Sequence, residues 1–464
     1  MILRDHDTIA AIATPLGEGA IAVIRISGEH ALGTVDGVFR GHAKLKGVPG
    51  NTIHFGRVVD PAEKTVDEVL AAVFRSPHSY TGEDSVEISC HGGVFVANRV
   101  LETILRAGAR QADPGEFTKR RFLKGKIDLS QAEAVADLIH ARSEKALWVS
   151  IGHLQGRLST RVSELKSELM HLCSLLEIEL DFSEEGISIV ARAEVLTRLQ
   201  KLQRKVADLI SSYEIGKRYR DGVLVVLVGK PNSGKSSIFN ALLSESRAIV
   251  SPTPGTTRDY LEEALSIEGV LFRIVDTAGL REVSGFVESE GVARSKGLLS
   301  RADVVVVVLD STVMSSREEA LESVRDRRSD CQVVLAFNKI DLVRGSVARR
   351  DLISMEGSSW HEVRLSAKTG EGLDVLTKAL VDSVGVGSSE TESGLRVTSL
   401  RHVEAFRRVD RSIQQSISSH EAGMTSEFVA LDVRRAVDAL SEVTGEITTD
   451  DILNDVFGKF CVGK

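Results

Sequence analysis

Cysteine is scarce in this chain, and long apolar runs are missing from it. The cysteines are scattered, without any C-x-x-C pair, over 464 residues: Cys90, Cys173, Cys331 and Cys461. That spacing argues against a disulfide framework and a zinc site, and it favours a reducing compartment such as the cytoplasm. No run reaches the roughly 20 apolar residues of a membrane helix. The charged segment 1–7 lacks the pattern of a secretory signal.

An excess of positive charge is also missing. The formal net charge is −8, so any contact with RNA must use local basic patches. The basic residues that could contact RNA phosphate are Lys119, Arg120, Arg121, Lys124, Lys126, Arg401, Arg407, Arg408 and Arg411. Runs of basic residues are, however, more often solvent-exposed surfaces without a ligand. Hydrophobic residues make up 42% and charged residues 27% of the chain. That composition is typical of a globular protein, and the length predicts about two to four domains.

The most informative pattern that is present is a phosphate-binding loop. Residues 229–236 match G-x-x-x-x-G-K-[ST], with an apolar strand at 223–228 before them and a helix start at 237–243 after them. In that context backbone N–H groups can cradle phosphate. Lys235 would reach the outer phosphates, and the Ser236 hydroxyl would bind Mg²⁺. The predicted GTP contacts in this loop are Asn232, Ser233, Gly234, Lys235, Ser236 and Ser237.

Three later motifs narrow the nucleotide to guanine. Residues 276–279 read D-T-A-G after a second apolar strand, so Asp276 would hold Mg²⁺ through water and the Gly279 N–H would sense a terminal phosphate. A third strand, 332–337, leads into Asn338-Lys339-Ile340-Asp341. Asp341 can accept hydrogen bonds from guanine N1–H and N2–H₂ together, which adenine does not offer. The loop expected behind the base is Ser366-Ala367-Lys368. A phosphate loop alone would leave ATP open, whereas four motifs in order predict a guanine-nucleotide domain.

The predicted fold class is multidomain α/β and α. Residues 1–120 are predicted to form an α+β domain, with strands at 9–13, 19–26, 69–74 and 85–89 and a helix at 94–107. Helical patterns fill 121–220 and return in 384–464, on either side of a Ras-like GTPase domain at 221–383. The termini of a domain often lie close together. We therefore expect one discontinuous helical domain with the GTPase domain inserted into it.

Motifs outside the GTPase domain carry a family resemblance. They are residues 7–15 (D-T-I-A-A-I-A-T-P), 79–84 (S-Y-T-G-E-D), 90–93 (C-H-G-G), 114–118 (P-G-E-F-T), 128–134 (D-L-S-Q-A-E-A) and 460–464 (F-C-V-G-K). Together they make the whole chain resemble the MnmE (TrmE) family of bacterial tRNA-modification GTPases. The departure in the last motif is Val462, where Ile is usual, and it is a near-isosteric apolar exchange.

The resemblance implies a homodimer formed through the folate-binding N-terminal domain. It implies a flavoprotein partner, MnmG, which carries FAD. The pair would add an aminomethyl or carboxymethylaminomethyl group to carbon 5 of the wobble uridine of tRNA. The carbon would come from a 5-formyl- or 5,10-methylene-tetrahydrofolate.

The resemblance also implies how GTP is hydrolysed. Leu280 stands where Ras-like proteins place the water-orienting Gln, and the family uses a switch II Glu, matched here by Glu288, through a bridging water. Glu290 lies close enough in sequence to leave that register open. The chain has no obvious arginine finger, and K⁺ would take its place. The implied K⁺ ligands are Asn232, Ser251, Thr253 and Thr256, and the second Mg²⁺ ligand is Thr257.

The implied folate contacts are Arg25, Glu87, Lys126 and Lys464. A Glu can accept paired hydrogen bonds from a pterin, and Arg and Lys can neutralise the glutamate tail. Without the resemblance, Arg25, Lys126 and Lys464 would be interpreted as surface charges. Cys461 matches the cysteine that the family needs for modification, although a lone Cys beside an apolar helix usually packs. A nucleophilic role would need a lowered thiol pKa.

Three other functions stay open at this point. A ribosome-assembly GTPase of the Era or Der type shares the switch motifs, but it would end in a KH-like domain with a G-x-x-G loop, which the C-terminal segment lacks. A folate-dependent carrier with a purely regulatory GTPase would modify tRNA with GTP analogues that cannot be hydrolysed. A non-catalytic scaffold for MnmG would tolerate Cys461→Ser.

Overall fold

The computed structural model describes residues 7–181, 191–245, 262–276, 297–313, 322, 324–343, 360–385 and 395–464. The chain separates into two compact units. The first comprises Met1–Ala136, His153–Ile178 and Ala430–Lys464, and the second comprises Asp137–Gly152 and Glu179–Val429. Within the described ranges, no helix is long and apolar enough to cross a membrane. The domain boundaries predicted above stay a prediction.

The first unit contains a seven-stranded sheet in the order β3-β4-β5-β6-β2-β1-β7. Its strands are β1 Ile9–Ile12, β2 Ile21–Ser27, β3 Phe39–Gly41, β4 Thr52–Val59, β5 Thr65–Phe74, β6 Ser85–His91 and β7 Arg110–Gln111. Its helices are α1 Ala31–Val38, α2 Val94–Arg106 and α3 Glu116–Leu123, with a 3₁₀ turn at Leu45–Gly47. The strand pairs are antiparallel except for β1 with β7.

Alternation along β2 sorts side chains onto the two faces of this sheet. Ile24 and Ile26 join α1 and α2 in the core on one face. Because successive side chains of a strand point to opposite faces, Arg25 lies on the other face. That second face is where the folate-contacting residues are expected.

The described residues include seven further helices. They are α4 Leu129–His140, α5 Glu144–Leu154, α6 Arg157–Asp181, α7 Arg192–Asp221, α10 Leu400–Glu421, α11 Ser426–Thr444 and α12 Asp450–Gly458. Helices α8 (Lys235–Glu245) and α9 (Leu373–Ser383) lie between α7 and α10 in the sequence. Within the helical pattern predicted over 121–220, residues 129–181 form three helices. In the first unit α12 packs on α3, with the Phe457 ring 6.3 Å from Phe122. In the second unit α7 and α10 pack together, and Gln203 Nε2 donates to Gln414 Oε1 at 2.7 Å.

The second unit contains a six-stranded sheet in the order β13-β12-β11-β8-β10-β9. Its strands are β8 Val223–Val228, β9 Glu262–Ile267, β10 Val270–Asp276, β11 Val304–Asp310, β12 Gln332–Asn338 and β13 His361–Arg364. Its helices are α8 Lys235–Glu245 and α9 Leu373–Ser383, with a 3₁₀ turn at Ile340–Leu342. The strand pairs are parallel except for β9 with β10.

Apolar cores cover both faces of this sheet, which explains the near-continuous valine runs of its parallel strands. The structure confirms the strands predicted at 223–228 and 332–337. It also confirms the fold class, because the chain contains an α/β sheet that carries the described GTPase motif residues, an α+β part and helical parts. Ligands bind such sheets at the carboxyl ends of the strands. The phosphate loop, Asp276, Asn338 and residues 366–368 lie at or just after those ends.

Candidate functional site

The phosphate-binding loop connects β8 to α8, as the sequence predicts. Gly234 has a φ of +98°, and a Cβ there would collide with Asn338 Nδ2, so only glycine fits this turn. The Lys235 ammonium is buried and donates to the carbonyls of Gly229 and Lys230 at 3.0 and 2.9 Å. Backbone N–H groups and a buried cation therefore converge at the N-terminus of α8, where a phosphate would be stabilised.

Ser236 and Asp276 come together beside this loop. The Ser236 hydroxyl donates to Asp276 Oδ2 at 2.7 Å. Both are oxygen donors of the type that Mg²⁺ takes. Ser237 lies in the first turn of α8 and is exposed, and so is Asn232, which has a φ of +64°.

The guanine motif is tied to the phosphate loop through Asn338. This buried amide donates from Nδ2 to the Ser233 carbonyl at 3.0 Å and accepts at Oδ1 from the Ala367 N–H at 3.0 Å. Asp341 accepts from the buried Ser366 hydroxyl at 2.6 Å. The predicted base loop and phosphate loop are therefore held in one framework, with Lys368 exposed at its edge.

One residue of this framework has no place in the sequence motifs. Asp310, the last residue of β11, pairs through Oδ2 with Lys339 Nζ at 2.6 Å. Its Oδ1 accepts from the Thr312 N–H and hydroxyl. Burial alone would raise the pKa of Asp310, but the hydrogen bonds from Lys339 and Thr312 outweigh burial and lower it. The available sequence signal was an acidic residue that ends a valine-rich strand, opposite Asn338 in the parallel register.

Six of the predicted GTPase residues lie outside the described residues. They are the switch I residues Ser251, Thr253, Thr256 and Thr257, and the switch II residues Gly279 and Glu288.

The first unit brings three of the predicted folate-contacting residues together. Arg25 on β2 faces Glu87 on β6 in the antiparallel register, and Arg25 Nε lies 2.8 Å from Glu87 Oε1. Burial first, and then the charge of Arg25, lowers the pKa of the Lys464 ammonium, while Glu87 opposes that shift. Lys126 is exposed and lies against Gly82, where a Cβ would come within 2.9 Å of Lys126 Cε.

Segment 460–464 reaches this place by packing against β1 and α3. The N–H groups of Phe117 and Thr118 donate to the Lys464 backbone oxygen at 3.0 and 3.3 Å. Gly463 has a φ of +97°, and a Cβ there would collide with the Ile12 carbonyl. Cys461 lies in the same segment and is exposed.

The other three cysteines are buried. Burial raises the pKa of the Cys90 and Cys331 thiols to about 11, and it also raises the pKa of Cys173. A thiolate is the reactive form of cysteine, so these three are unreactive positions and Cys461 is the accessible one.

Known proteins match this chain along its whole length. The family model described as the MnmE helical domain matches residues 129–461, and the one described as the GTP-binding protein TrmE N-terminus matches residues 8–126. The chain is 42% identical over 472 residues to the tRNA modification GTPase MnmE of Chlorobium luteolum, covering 100% of this chain and 99% of that protein. It is 44% identical over 465 residues to the tRNA modification GTPase MnmE of Salinibacter ruber, covering 100% of both. Among solved structures, the FeoB G domain of Methanococcus jannaschii is 27% identical and covers 35% of this chain and 98% of that one, with a TM-score of 0.26. The chain belongs to the MnmE family of tRNA modification GTPases.

Proposed function

We propose that this protein hydrolyses GTP and couples hydrolysis to modification of carbon 5 of the tRNA wobble uridine. The observation that carries the GTPase part is the bridge made by Asn338 between the phosphate loop and the Ala367 N–H. It supports a single pocket in which the loop holds the phosphates and Asp341 selects the base.

Each described residue of the pocket has a distinct task in this proposal. Lys235 leaves its carbonyl partners for the outer phosphates and neutralises charge that develops during transfer. Asp341 accepts from the guanine edge, while Ser366 holds its other carboxylate contact. Glu288 orients the attacking water through a second water. Because a buried cation acts in a low dielectric, Lys235 stabilises the transition state more strongly than an exposed lysine would.

Two metal ions belong to the proposal. Mg²⁺ would be held by Ser236 and Thr257, with Asp276 acting through water, and the 2.7 Å contact between Ser236 and Asp276 fits such a site. K⁺ would be held by Asn232, Ser251, Thr253 and Thr256. The two ions would supply positive charge at the bridging phosphate oxygens.

A tetrahydrofolate derivative, 5-formyl- or 5,10-methylene-, is the proposed one-carbon source. Arg25, Glu87, Lys126 and Lys464 would hold it, with Cys461 beside them. A buried polar atom supports the fit, because Arg25 Nη1 has no hydrogen-bond partner within the described residues. A bound folate offers acceptors for such a donor.

The same proposal includes the partners. The chain would form a homodimer through an N-terminal domain at about residues 1–120 and work with the flavoprotein MnmG, which carries FAD. Residues 121–220 and 384–464 would form one helical domain around the GTPase domain at 221–383. Since its substrate is tRNA, the protein would act in the cytoplasm.

GTP hydrolysis in potassium and in sodium, at equal ionic strength, tests the proposal. We expect rapid GTP turnover in potassium alone, and little turnover of ATP in either salt. Asn232→Ala should lose the potassium effect but still bind GDP. Equal slow rates in both salts would remove K⁺ from the mechanism. Equal turnover of ATP and GTP would contradict the assignment of Asp341.

A further inference from the structure

Two arginines share one aromatic ring in the first unit. The guanidinium carbon of Arg25 lies 4.6 Å from the centroid of the Tyr80 ring, and that of Arg121 lies 4.7 Å from it. The Tyr80 hydroxyl is 3.0 Å from Thr118 Oγ1 on α3, which fixes the ring. Cation–π attraction stabilises each guanidinium on the ring. We call Arg25, Tyr80, Arg121, Glu87 and Lys464 the Tyr80 cluster.

Both guanidinium groups keep an unused donor. Arg25 Nη1 and Arg121 Nε are buried atoms that find no hydrogen-bond partner in the part of the chain that the structure describes. A buried charged donor that stays unpaired is costly, so folded proteins satisfy such groups with protein, water or a ligand. Two of them around one ring indicate that an acceptor belongs there.

The charge of the Tyr80 cluster points to an anion. The Tyr80 cluster holds three cationic side chains, Arg25, Arg121 and Lys464, and one acidic side chain, Glu87, which is bonded to Arg25. The neighbouring acids Glu83 and Glu116 are bonded to Arg120 instead. Positive charge therefore remains in excess, and a bound carboxylate or phosphate would relieve it.

We propose that Arg121, stacked on Tyr80, binds a carboxylate of the folate glutamate tail and sets the preference for folates over pterins that lack the tail. This inference rests on the folate role proposed above. Glu87 suits the pterin, because a carboxylate can accept from its amino and ring N–H groups together. The tail then provides the anion for Arg121, and Arg binds carboxylates with two parallel hydrogen bonds.

Two further cationic residues follow Arg121 in the sequence and are exposed to solvent. Lys124 and Lys126 are exposed, and the stem of Lys126 lies against Gly82, two residues from Tyr80. These lysines extend the positive charge from the Tyr80 cluster towards solvent. A tail with several linked glutamates carries one carboxylate for each added residue, so it matches this arrangement better than a single glutamate does.

Arg121 can be substituted without breaking the ion pairs that hold α3, because those pairs are made by its neighbour Arg120. Arg120 is buried and pairs with Asp7, Glu83 and Glu116. Among the described residues, Arg121 makes no ion pair, so Arg121→Gln removes its charge and its contact with the Tyr80 ring without breaking a salt bridge. Arg106→Gln on α2 is the matched control, since it removes the same charge from an exposed residue whose one ion pair within the described ranges is with Glu102.

The experiment is calorimetric titration of the full chain with three probes: 5-formyltetrahydrofolate, its triglutamate form and tetrahydropterin. We expect wild type to prefer the triglutamate. Arg121→Gln should weaken both folates about 10- to 100-fold, the loss typical of a charged hydrogen bond. It should leave tetrahydropterin binding unchanged. Arg106→Gln should change none of the three, and melting curves check that both variants fold.

The outcomes separate the inference from the proposal on which it rests. Wild type that binds no folate would overturn the folate role and this inference with it. Folate binding that Arg121→Gln leaves unchanged would overturn only the inference. An equal loss for tetrahydropterin and both folates would also overturn it, because Arg121 would then support the whole pocket and not the tail.

Discussion

Asp310 is expected to control guanine-nucleotide affinity through Lys339. Asp310→Ala removes the 2.6 Å pair with Lys339, and the two side chains are 20% and 29% exposed, so solvent screens the pair in part. Without Asp310, the lysine must be immobilised when the nucleotide binds. That costs about 0.5–1.5 kcal/mol, which corresponds to roughly two- to twelvefold weaker binding of GTP and GDP. The hydrolysis rate at saturating GTP should stay near that of wild type, because Asp310 does not contact the phosphate loop residues that act on the γ-phosphate.

A double-mutant cycle with Lys339→Ala measures this coupling. Affinities come from displacement of a fluorescent GDP, and kcat and KM come from steady-state hydrolysis. If Asp310 acts by positioning Lys339, its substitution should have little effect in the Lys339→Ala background. Asp382→Ala, an exposed acid on α9, serves as the control. Additive losses in the cycle, or a lower kcat at unchanged affinity, would refute this reasoning.

Asn338, Glu116 and Cys461 give three further predictions. Asn338→Ala leaves the buried Ser233 carbonyl and the half-buried Ala367 N–H unpaired and should lower the unfolding free energy of the second unit by about 2–4 kcal/mol; an unchanged denaturation midpoint would contradict this. Burial alone would raise the pKa of Glu116, but hydrogen bonds from Arg110 and Arg120 lower it, so its stabilisation should be complete above about pH 4.3 and lost as the pH falls further. Glu116→Gln should flatten the acid dependence of the melting temperature. Cys461 should be the single thiol per native chain that reacts rapidly with Ellman's reagent, and two fast thiols would be inconsistent with the burial found here.

The GTPase half was predictable because its signals are local. Parallel strands covered on both faces need continuous apolar runs, so Val223–Val228 stood out in the sequence. The phosphate loop follows directly and uses backbone groups, which depend on glycine positions more than on distant side chains. The base motif likewise follows the strand at 332–338. The role of Asp310 could not be predicted from local sequence, because its partner Lys339 directly follows the neighbouring strand β12.

The first sheet was less predictable, because the apolar residues of one of its strands are exposed rather than buried. β4 carries Ile53 and Phe55, whose side chains are 68% and 66% exposed. Alternation alone would have placed them in the core, so this strand had no reliable signal. The eight residues of α3 are mostly polar or charged, and ion pairs between Arg120 and the distant Asp7 hold the helix.

The folate-contacting residues could not be found from the sequence except through the family resemblance. Arg25 and Glu87 meet only through the register of β2 with β6. Lys464 joins them because segment 460–464 packs on α3. No periodicity or motif within one segment predicts that these three residues lie close together. Each of them, taken alone, resembles an ordinary charged surface residue. The match to the MnmE family over the whole chain also argues against the Era or Der alternative.

The packing of segment 460–464 decides which variants can reveal a chemical role for Cys461. The backbone oxygen of Lys464 accepts from Phe117 and Thr118, which are N–H groups that a helix cannot satisfy internally. Deleting the segment would therefore uncap α3 and also remove Lys464 from Arg25 and Glu87. Loss of modification after such a deletion would be explained by structure alone. Cys461→Ser keeps the backbone contacts and changes one exposed atom, so it alone separates a cysteine that takes part in the reaction from one that only belongs to a structural cap.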